Sequence, residues 1–211
     1  ARRPNSMNNY GIIVNDIGLR PSLDVVQQQL VLPLASALYP LEGQEFDGHH
    51  SFMVRYRADE DRGLDMHTDD SDVTLNICLG REGFQASGLT FCGKMGKPDH
   101  RHFSHQYQHE IGRAVVHLGA QRHGADDITT GERNNLIIWN HNLGYRQSEV
   151  HQKRMLTYER EGGPPDERCL SYTHDKDYLA YRGAYPEGTE GAGERAWCPP
   201  LQKRHQRAPI E

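Results

Sequence analysis

The sequence predicts a mainly β protein with the antiparallel strands of a sandwich or jelly roll. From about residue 50, short runs rich in β-branched and aromatic residues alternate with clusters of glycine, aspartate and serine. No helical pattern lies between these runs, so the crossovers that a parallel sheet requires are missing. The 211 residues, 36% of them hydrophobic, provide for one sizeable core and a single catalytic-size domain.

A helical pattern over residues 21–39 precedes the β-rich region. Ser22 is a candidate N-cap, and Pro33 predicts either a kink or a division into two shorter helices. Apolar residues recur at a spacing of three to four and predict the buried face: Leu23, Val26, Leu30, Leu34 and Leu38. One amphipathic helix is therefore expected to support the core.

Five later runs have the length and composition of β-strands. They cover residues 51–56, 73–79, 89–92, 113–118 and 135–139. Residues 93–110 are predicted to form a polar loop, and after His141 the hydrophobic periodicity fades. Segments 159–167 and 186–194 contain too few apolar residues to offset chain entropy, although Trp197 and several tyrosines are expected to pack back on the core.

These patterns divide the chain into three regions. Residues 1–49 are expected to be a helical support, residues 50–143 the β core, and residues 144–211 a loosely ordered, partly disordered tail.

Charge and composition narrow the possible partners. Lys and Arg total 24 against 29 for Asp and Glu, a net charge of −5, and no basic run is long enough to follow a phosphate backbone, so nucleic acid is not an expected partner. No stretch approaches the roughly 20 apolar residues of a membrane span. The oligomeric state stays open, because no heptad seam or exposed apolar stripe is evident.

The ends and the cysteines bear on localisation. The chain starts at Ala1, and its opening residues indicate an incomplete N-terminus that could have lost a targeting segment. The four cysteines are widely spaced and form no disulfide framework, which favours a reducing compartment, cytoplasmic or nuclear. Cys78 and Cys92 lie in strand-like runs, where free thiols are expected to be buried.

Two local patterns contain residues that could form a functional site, and each pattern is weak evidence by itself. His67 and Asp69 stand two residues apart, so on a strand both would project from one face towards a metal ion. About one such H-x-D pair is expected by chance in this composition, and a single pair more often lies on the solvated surface than in a metal site. His123 is a third candidate ligand, and it lies ten residues before Arg133, which opens the next predicted strand. That pairing, too, is expected about once by chance.

Two histidines and one carboxylate on one face of a metal ion leave three positions open, as non-haem iron oxygenases require. This chemistry makes the combination of His67, Asp69 and His123 more informative than either pair. Without further support, Arg133 would be an exposed arginine at the start of a strand.

The flanking residues resemble the prolyl and lysyl hydroxylase branch of the Fe(II)- and 2-oxoglutarate-dependent oxygenases. The Val-Arg-Tyr run at 54–56, an acidic loop, His67-Thr68-Asp69 and the T-x-N strand at 73–79 are similar to the lysyl hydroxylase pattern. Gly-Leu-Thr-Phe at 88–91 resembles the following strand. His123, followed by Thr-Thr-Gly-Glu-Arg at 129–133, resembles the distal histidine, T-T-x-G turn and arginine of that family. Residues 5–140 are most similar to the family named 2-oxoglutarate and iron-dependent oxygenase domain-containing protein 2.

The resemblance implies a double-stranded β-helix, a jelly roll in which His67, Asp69 and His123 hold Fe(II). It implies that 2-oxoglutarate is the cosubstrate, that O2 is consumed, and that ascorbate serves as reductant. Arg133 would meet the far carboxylate of 2-oxoglutarate with bidentate hydrogen bonds. Tyr56 and Asn76 are candidate cosubstrate-binding residues, although packing alone would explain a strand tyrosine. A peptide or protein side chain is the implied substrate.

Two alternatives remain open. The chain could be a non-catalytic, metal-binding jelly-roll scaffold, although all four key residues are present. It could also be a cupin-like isomerase or hydrolase that uses zinc or manganese, which would not need Arg133.

Five further histidines do not enter these hypotheses. Four lie in the predicted loop: His100, His102, His105 and His109. Their spacing matches no zinc pattern and no cysteine stands nearby, so a solvated loop, which could cover the site, is preferred over a second metal centre. His117 is expected to be a half-buried histidine with its hydrogen bonds satisfied.

Overall fold

The computed structural model of the chain describes residues 3–80, 83–156, 163–171 and 177. Eleven β-strands in this part form most of the structure. They are β1 (Gly11–Ile13), β2 (Gly48–Arg57), β3 (Leu64–His67), β4 (Val73–Cys78), β5 (Gln85–Ala86), β6 (Leu89–Lys94), β7 (Phe103–Tyr107), β8 (Ala114–Leu118), β9 (Gln121–Ala125), β10 (Ile128–Thr130) and β11 (Glu132–His141).

Two antiparallel sheets face each other. The first has the strand order β1-β2-β11-β4-β8 and the second the order β3-β9-β6-β7, while β10 and β5 form a short pair. Apart from the β6–β7 hairpin, successive long strands from β2 to β11 alternate between the two sheets. This winding is a double-stranded β-helix, which confirms the predicted mainly β jelly roll.

All five predicted strands are present, as β2, β4, β6, β8 and β11. The strands β3 and β9 were not predicted, because L-D-M-H and Q-R-H-G-A contain few β-branched or aromatic residues. The prediction of a polar loop over residues 93–110 is wrong at 103–107, which form β7 and pair with β6. Its sequence, F-S-H-Q-Y, alternates rings with polar side chains, and this period-two pattern was the available signal.

Strand alternation creates two separate apolar layers. In β11, Ile137 packs between the two sheets with Phe52 and Val54, whereas Ile138 packs on the outer side of its sheet with Val31. Because side chains on a strand alternate between faces, Arg133 and Asn135 lie on the same inner face as Ile137. Because these two inner positions are polar, the interior of the barrel is not only a hydrophobic core and could hold a polar ligand.

The predicted helix forms a continuous helical run. It consists of α1 (Arg20–Val26), a π-helical segment (Gln27–Val31) and α2 (Leu32–Leu38). The π segment ends two residues before Pro33, whose ring and missing N–H disrupt regular α-helical bonding. Leu19 is the N-cap residue, so the prediction of Ser22 in that role is wrong.

The predicted buried face of this helix is largely wrong. Leu23 is buried, but three predicted core leucines are 42–58% exposed: Leu30, Leu34 and Leu38. The helix instead buries Gln27, Val31 and Ala35 together with Leu23. Gln27 is tolerated there because its amide donates hydrogen bonds of 3.0 Å to the Gly48 carbonyl and the Asn140 side chain. Because the buried face contains the polar Gln27, it is less hydrophobic in sequence than the exposed face with its three leucines, and the prediction selected the wrong face.

Two neighbouring positions test this orientation of the helix. Val31 is fully buried and Leu30 is 49% exposed. We expect Val31→Ala to lower the free energy of unfolding by about 1–3 kcal/mol, because it leaves a cavity in a packed layer. Leu30→Ala should change it by less than about 0.5 kcal/mol. Equal losses for both variants in urea denaturation would contradict the orientation.

The described part of the predicted loose tail includes α3 (Leu143–Gln147) and α4 (Glu149–Leu156), and several of its residues are buried. The Asp177 carboxylate is fully buried and accepts hydrogen bonds from Arg101 at 2.6 Å and Arg122 at 2.7 Å. These contacts join the tail to the outer side of β9. Residues 159–162, segment 186–194 and Trp197 lie outside the described residues.

A disulfide joins Cys92 on β6 to Cys169. The prediction of a free thiol is therefore wrong for Cys92. The expected reducing compartment was argued from the lack of a disulfide framework, and the disulfide removes that argument. Cys78 is free and buried, as predicted. Within the described residues, no helix has the length and apolar character that crossing a membrane requires.

Candidate metal and cosubstrate site

His67, Asp69 and His123 come together at one end of the barrel interior. One ligand atom from each lies within 4.8 Å of the other two. The Oδ1 atom of Asp69 is 3.4 Å from Nε2 of His67 and 3.6 Å from Nε2 of His123. These three side chains are at most 7% exposed. The arrangement could hold one divalent metal ion with two imidazoles and one carboxylate on a single face.

Backbone hydrogen bonds fix both imidazole rings. Nδ1 of His67 donates to the Asp65 carbonyl at 2.7 Å, and Nδ1 of His123 donates to the Gln121 carbonyl at 2.9 Å. In both residues the acceptor lies two positions earlier, so the same local geometry occurs at the end of β3 and within β9. Each Nε2 then presents its lone pair to the centre of the cluster, as a metal ligand must.

Asp69 follows β3 in a loop that neighbouring residues hold in place. Its backbone N–H donates to the Gly119 carbonyl at 2.9 Å, and the Thr74 hydroxyl donates to its Oδ2 at 2.6 Å. Glycine is required at 119, because a Cβ there would overlap the backbone oxygen of Ser71. Oδ2 is thus anchored, which leaves Oδ1 directed at the two histidines.

The electrostatics suit ligand chemistry. Burial alone would raise the pKa of Asp69, but His123 and His67 outweigh it and hold that pKa well below its usual value. Burial lowers the pKa of His123 to about 3, against the opposing effect of Asp69. A carboxylate and a neutral imidazole at pH 7 are the protonation states that bind a metal ion.

His117 differs from its prediction as a satisfied, half-buried histidine. It is only 4% exposed, and its Nδ1 donates to the Leu118 carbonyl at 3.0 Å. Its Nε2 has no hydrogen-bond partner among the described residues and lies 3.9 Å from Oδ2 of Asp69. His117 is therefore a third imidazole beside the cluster, outside the set that could share one ion.

A narrow, partly open cavity leads from the cluster into the barrel. His67, Asp69 and His123 line one end, and Tyr56 and Asn76 line the other. Most of the wall between them is apolar: Phe52, Val54, Leu64, Leu89, Ala125 and Ile137. Such a wall excludes water and strengthens electrostatic interactions inside the cavity.

Arg133 lies just behind the Tyr56 end of the cavity and is fully buried. Its Nη1 donates to the carbonyls of Ser87 and Gly88, and its guanidinium carbon lies 4.7 Å from the centre of the Tyr56 ring. Nε and Nη2 have no hydrogen-bond partner among the described residues. The Asp126 carboxylate acts on Arg133 through space but accepts its hydrogen bonds from Thr90 and Gln106. An exposed arginine is therefore excluded. A buried guanidinium without a counter-ion is costly unless an anion completes the site.

Five of the six predicted site residues line one cavity, and the sixth, Arg133, lies behind Tyr56. The sequence indicated that Arg133 and His123 lie on neighbouring strands. Instead, their strands, β11 and β9, belong to opposite sheets. They face each other across the barrel interior. Tyr56 pairs with Arg133 in the β2–β11 register, and Asn76 accepts a hydrogen bond from Asn135 at 2.5 Å.

Several residues at the site were missed. Asn5 and Asn8, which precede β1, form part of the cavity wall. They lie within the region of family resemblance, but no role at the site was predicted for them. Trp139 lines the metal end with an indole N–H that has no partner among the described residues. His109, predicted to be in a solvated loop, is 6% exposed and its Nε2 lies 3.3 Å from Nδ2 of Asn135. Glu132, Arg133, Asn134 and Asn135 are all polar, so no apolar-polar alternation marked Asn135 in the sequence.

The chain is similar to known proteins over most of the β core. It is 37% identical over 157 residues to the 2-oxoglutarate and iron-dependent oxygenase domain-containing protein ICU11 of Arabidopsis thaliana, which covers 72% of this chain and 39% of that protein. It is 37% identical over 139 residues to the human 2-oxoglutarate and iron-dependent oxygenase domain-containing protein 2, covering 65% and 39%. The model of the OGFOD2-like domain matches residues 1–44.

The chain is a homologue of these oxygenase domain-containing proteins. It spans about two fifths of the length of these relatives, 39% in both cases. The recognised resemblance to this family is thereby confirmed.

Solved structures of two prolyl hydroxylases also align with the chain. A Pseudomonas putida prolyl-4-hydroxylase aligns with a TM-score of 0.42 at 20% identity, covering 55% of this chain and 62% of the other. A Trichoplax adhaerens prolyl hydroxylase in complex with a peptide fragment aligns with a TM-score of 0.47 at 13% identity, covering 69% of both chains. The strand order described above, and not these alignments, defines the fold.

Proposed function

We propose that this chain is an Fe(II)- and 2-oxoglutarate-dependent dioxygenase that hydroxylates a side chain of a peptide or protein. The observation that carries the proposal is the fully buried Arg133, which forms no ion pair with an acid among the described residues. It lies behind Tyr56, which lines the same cavity as His67, Asp69 and His123. A metal triad at one end and a cation at the other suit a ligand with a chelating group and a distant carboxylate.

The residues present fit both groups. His67, Asp69 and His123 would hold Fe(II), and three coordination positions would stay open. Nε and Nη2 of Arg133, which have no partner in the described structure, would receive the far carboxylate. When bound, iron and 2-oxoglutarate supply the oxidation: one atom of O2 enters a substrate C–H bond, and the other enters succinate as CO2 leaves.

The chain's own residues position these groups and keep water away. Thr74 holds Oδ2 of Asp69, so that Oδ1 stays directed at the metal position. Tyr56 and Asn76, which line the far end of the cavity, are proposed to hydrogen-bond the cosubstrate. The apolar wall between the two ends restricts water, which would otherwise compete for the open metal positions.

The substrate class and the reductant belong to the same proposal. The proposed substrate, a peptide or protein side chain, rests on the similarity of residues 54–79 to the lysyl hydroxylase pattern. This is an argument by analogy with that family. Ascorbate would keep the metal in its reduced state between turnovers, and O2 would be consumed with 2-oxoglutarate.

The two alternatives make different demands on the site. A metal-binding scaffold needs the triad but no turnover, and a zinc or manganese hydrolase needs no cation opposite a dicarboxylate. The buried position of Arg133 favours the dioxygenase over the hydrolase.

Succinate formation from 2-oxoglutarate separates these possibilities. We expect the purified protein with Fe(II), ascorbate and O2 to form succinate without added substrate, and peptides containing proline or lysine to accelerate it. His67→Ala should abolish this activity, whereas His105→Ala, at an exposed histidine of β7, should retain it. Metal binding without succinate would favour the scaffold, and turnover unchanged by His67→Ala would contradict the ligand assignment.

A further inference from the structure

Buried polar atoms without hydrogen-bond partners gather at the Arg133 end of the cavity. Within the described residues they are Nε and Nη2 of Arg133, Nδ1 of His109, Oγ of Ser87 and Oδ1 of Asn135. These four residues are at most 6% exposed. Buried donors are normally paired, so a group of them marks a place where a ligand supplies acceptors.

The strand register brings His109 to this place. Tyr107, the last residue of β7, pairs with Leu89, so the chain that continues to His109 passes Gly88 and Ser87. The carbonyls of Ser87 and Gly88 accept hydrogen bonds from Arg133. His109 and Arg133 therefore approach the same turn from opposite sheets.

Hydrogen bonding assigns the proton of His109 to Nδ1. The Asn135 amide donates to Oδ1 of Asn76 at 2.5 Å and faces Nε2 of His109 at 3.3 Å, which makes Nε2 the acceptor. The ring is neutral at pH 7, because burial and then the charge of Arg133 lower the pKa of His109 to about 3. Nδ1–H is consequently a buried donor without an acceptor among the described residues.

We propose that Nδ1 of His109 donates a second hydrogen bond, beside Arg133, to the far carboxylate of 2-oxoglutarate, an inference that rests on the proposed function. A carboxylate has two oxygens that accept several hydrogen bonds, more than one guanidinium edge uses. The charges of Arg133 and the carboxylate cancel, so a neutral donor adds a hydrogen bond without leaving a net positive charge buried.

The position of the donors defines how the carboxylate reaches them. Tyr56 and Asn76 line the cavity, and the donors lie one side chain behind them: Arg133 over the Tyr56 ring, and His109 joined through Asn135 to Asn76. A carboxylate held by both donors would have to enter between Tyr56 and Asn76. A 2-oxo acid that lacks the far carboxylate gains nothing from either.

The test compares two ligands that differ only at the far end. 2-Oxoglutarate and 2-oxopentanoate have the same chain length, but the second has a methyl group in place of the far carboxylate. Binding is measured anaerobically to the Mn(II)-loaded protein for wild type, His109→Phe, His109→Asn and His105→Phe. Phenylalanine keeps a ring without donors, asparagine keeps an N–H at the δ position, and His105→Phe replaces an exposed histidine of the same segment.

We expect His109→Phe to weaken 2-oxoglutarate binding about 10-fold to 100-fold, the range for a lost hydrogen bond to a charged group. Binding of 2-oxopentanoate should stay unchanged, His109→Asn should restore most of the affinity for 2-oxoglutarate, and His105→Phe should match wild type. Equal weakening of both ligands, or no weakening of either, would overturn the role of His109. If His109→Phe does not fold, His109→Leu takes its place in the same comparison.

The same experiment separates this inference from the proposed function. Wild-type protein that binds no 2-oxoglutarate in the presence of metal would contradict the proposed function itself. Wild-type protein that binds it, with His109→Phe retaining the full preference over 2-oxopentanoate, would contradict only the role of His109.

Discussion

Asp69→Ala is expected to remove metal binding and all metal-dependent turnover. Asp69 supplies the carboxylate of the cluster, and its Oδ1 lies 3.4 and 3.6 Å from the two imidazoles. Loss of a supporting residue around a metal site typically costs 10-fold to 100-fold in affinity, so loss of a ligand should cost at least about 100-fold. Anaerobic titration with Fe(II) or Co(II) measures the effect directly.

The neighbouring acid provides a matched control. The side chain of Asp70 is 80% exposed and pairs with Arg146 at 3.1 Å, away from the cluster. Asp70→Ala removes the same charge from the same loop, so it should bind metal as wild type does. If Asp69→Ala and Asp70→Ala bind metal equally well, the site lies elsewhere.

Arg133→Met is expected to separate cosubstrate binding from stability. Truncating one partner of a buried charge pair costs about 2–5 kcal/mol, so 2-oxoglutarate affinity should fall by at least about 30-fold. In the absence of ligand, Arg133 is a buried cation without an acidic partner among the described residues, and methionine removes its desolvation penalty. The ligand-free variant should therefore be at least as stable as wild type.

Thermal unfolding with and without 2-oxoglutarate, in the presence of Mn(II), measures both effects. The ligand should raise the melting temperature of wild type but not of Arg133→Met. Arg113→Met serves as control, because Arg113 is 71% exposed. A large loss of stability in ligand-free Arg133→Met would show that Arg133 is structural and would contradict the assignment.

The sequence predicted the parts of the fold that follow a simple hydrophobic pattern. The runs that became β2, β4 and β11 have enough β-branched and aromatic residues to be recognised without neighbours. β3 and β9 were missed, and these are the strands that carry His67 and His123. The two ligand histidines, Asp65 in β3 and Gly124 in β9 stand where β-branched or aromatic residues would strengthen the strand signal, so the site itself weakens it.

The helix shows a different limit of sequence reasoning. Its most regular leucine stripe, with Leu30, Leu34 and Leu38, faces outward, and the true core face includes Gln27. The hydrogen bond from Gln27 to Asn140, 113 residues away, allows that burial. A long-range partner of this kind cannot be recognised from local periodicity.

The candidate site was predictable as a set of residues and not as a geometry. The motif residues His67, Asp69, His123 and Arg133 could be named, but an exposed Arg133 was equally consistent with the sequence. His109 was assigned to a solvated loop because its segment is polar, and only the β6–β7 register places it near Arg133. The disulfide between Cys92 and Cys169 joins residues 77 positions apart, and no spacing rule identifies such a pair.

The central claim is that the triad and Arg133 bind Fe(II) and 2-oxoglutarate together. Anaerobic addition of 2-oxoglutarate to the Fe(II)-loaded protein tests it, because chelation of Fe(II) by a 2-oxo acid produces a charge-transfer absorption band. We predict a band that saturates at one equivalent in wild type, that is absent in Asp69→Ala, and that requires much higher 2-oxoglutarate in Arg133→Met. A wild-type protein that binds Fe(II) but develops no band, or an Arg133→Met titration identical to wild type, would contradict the claim.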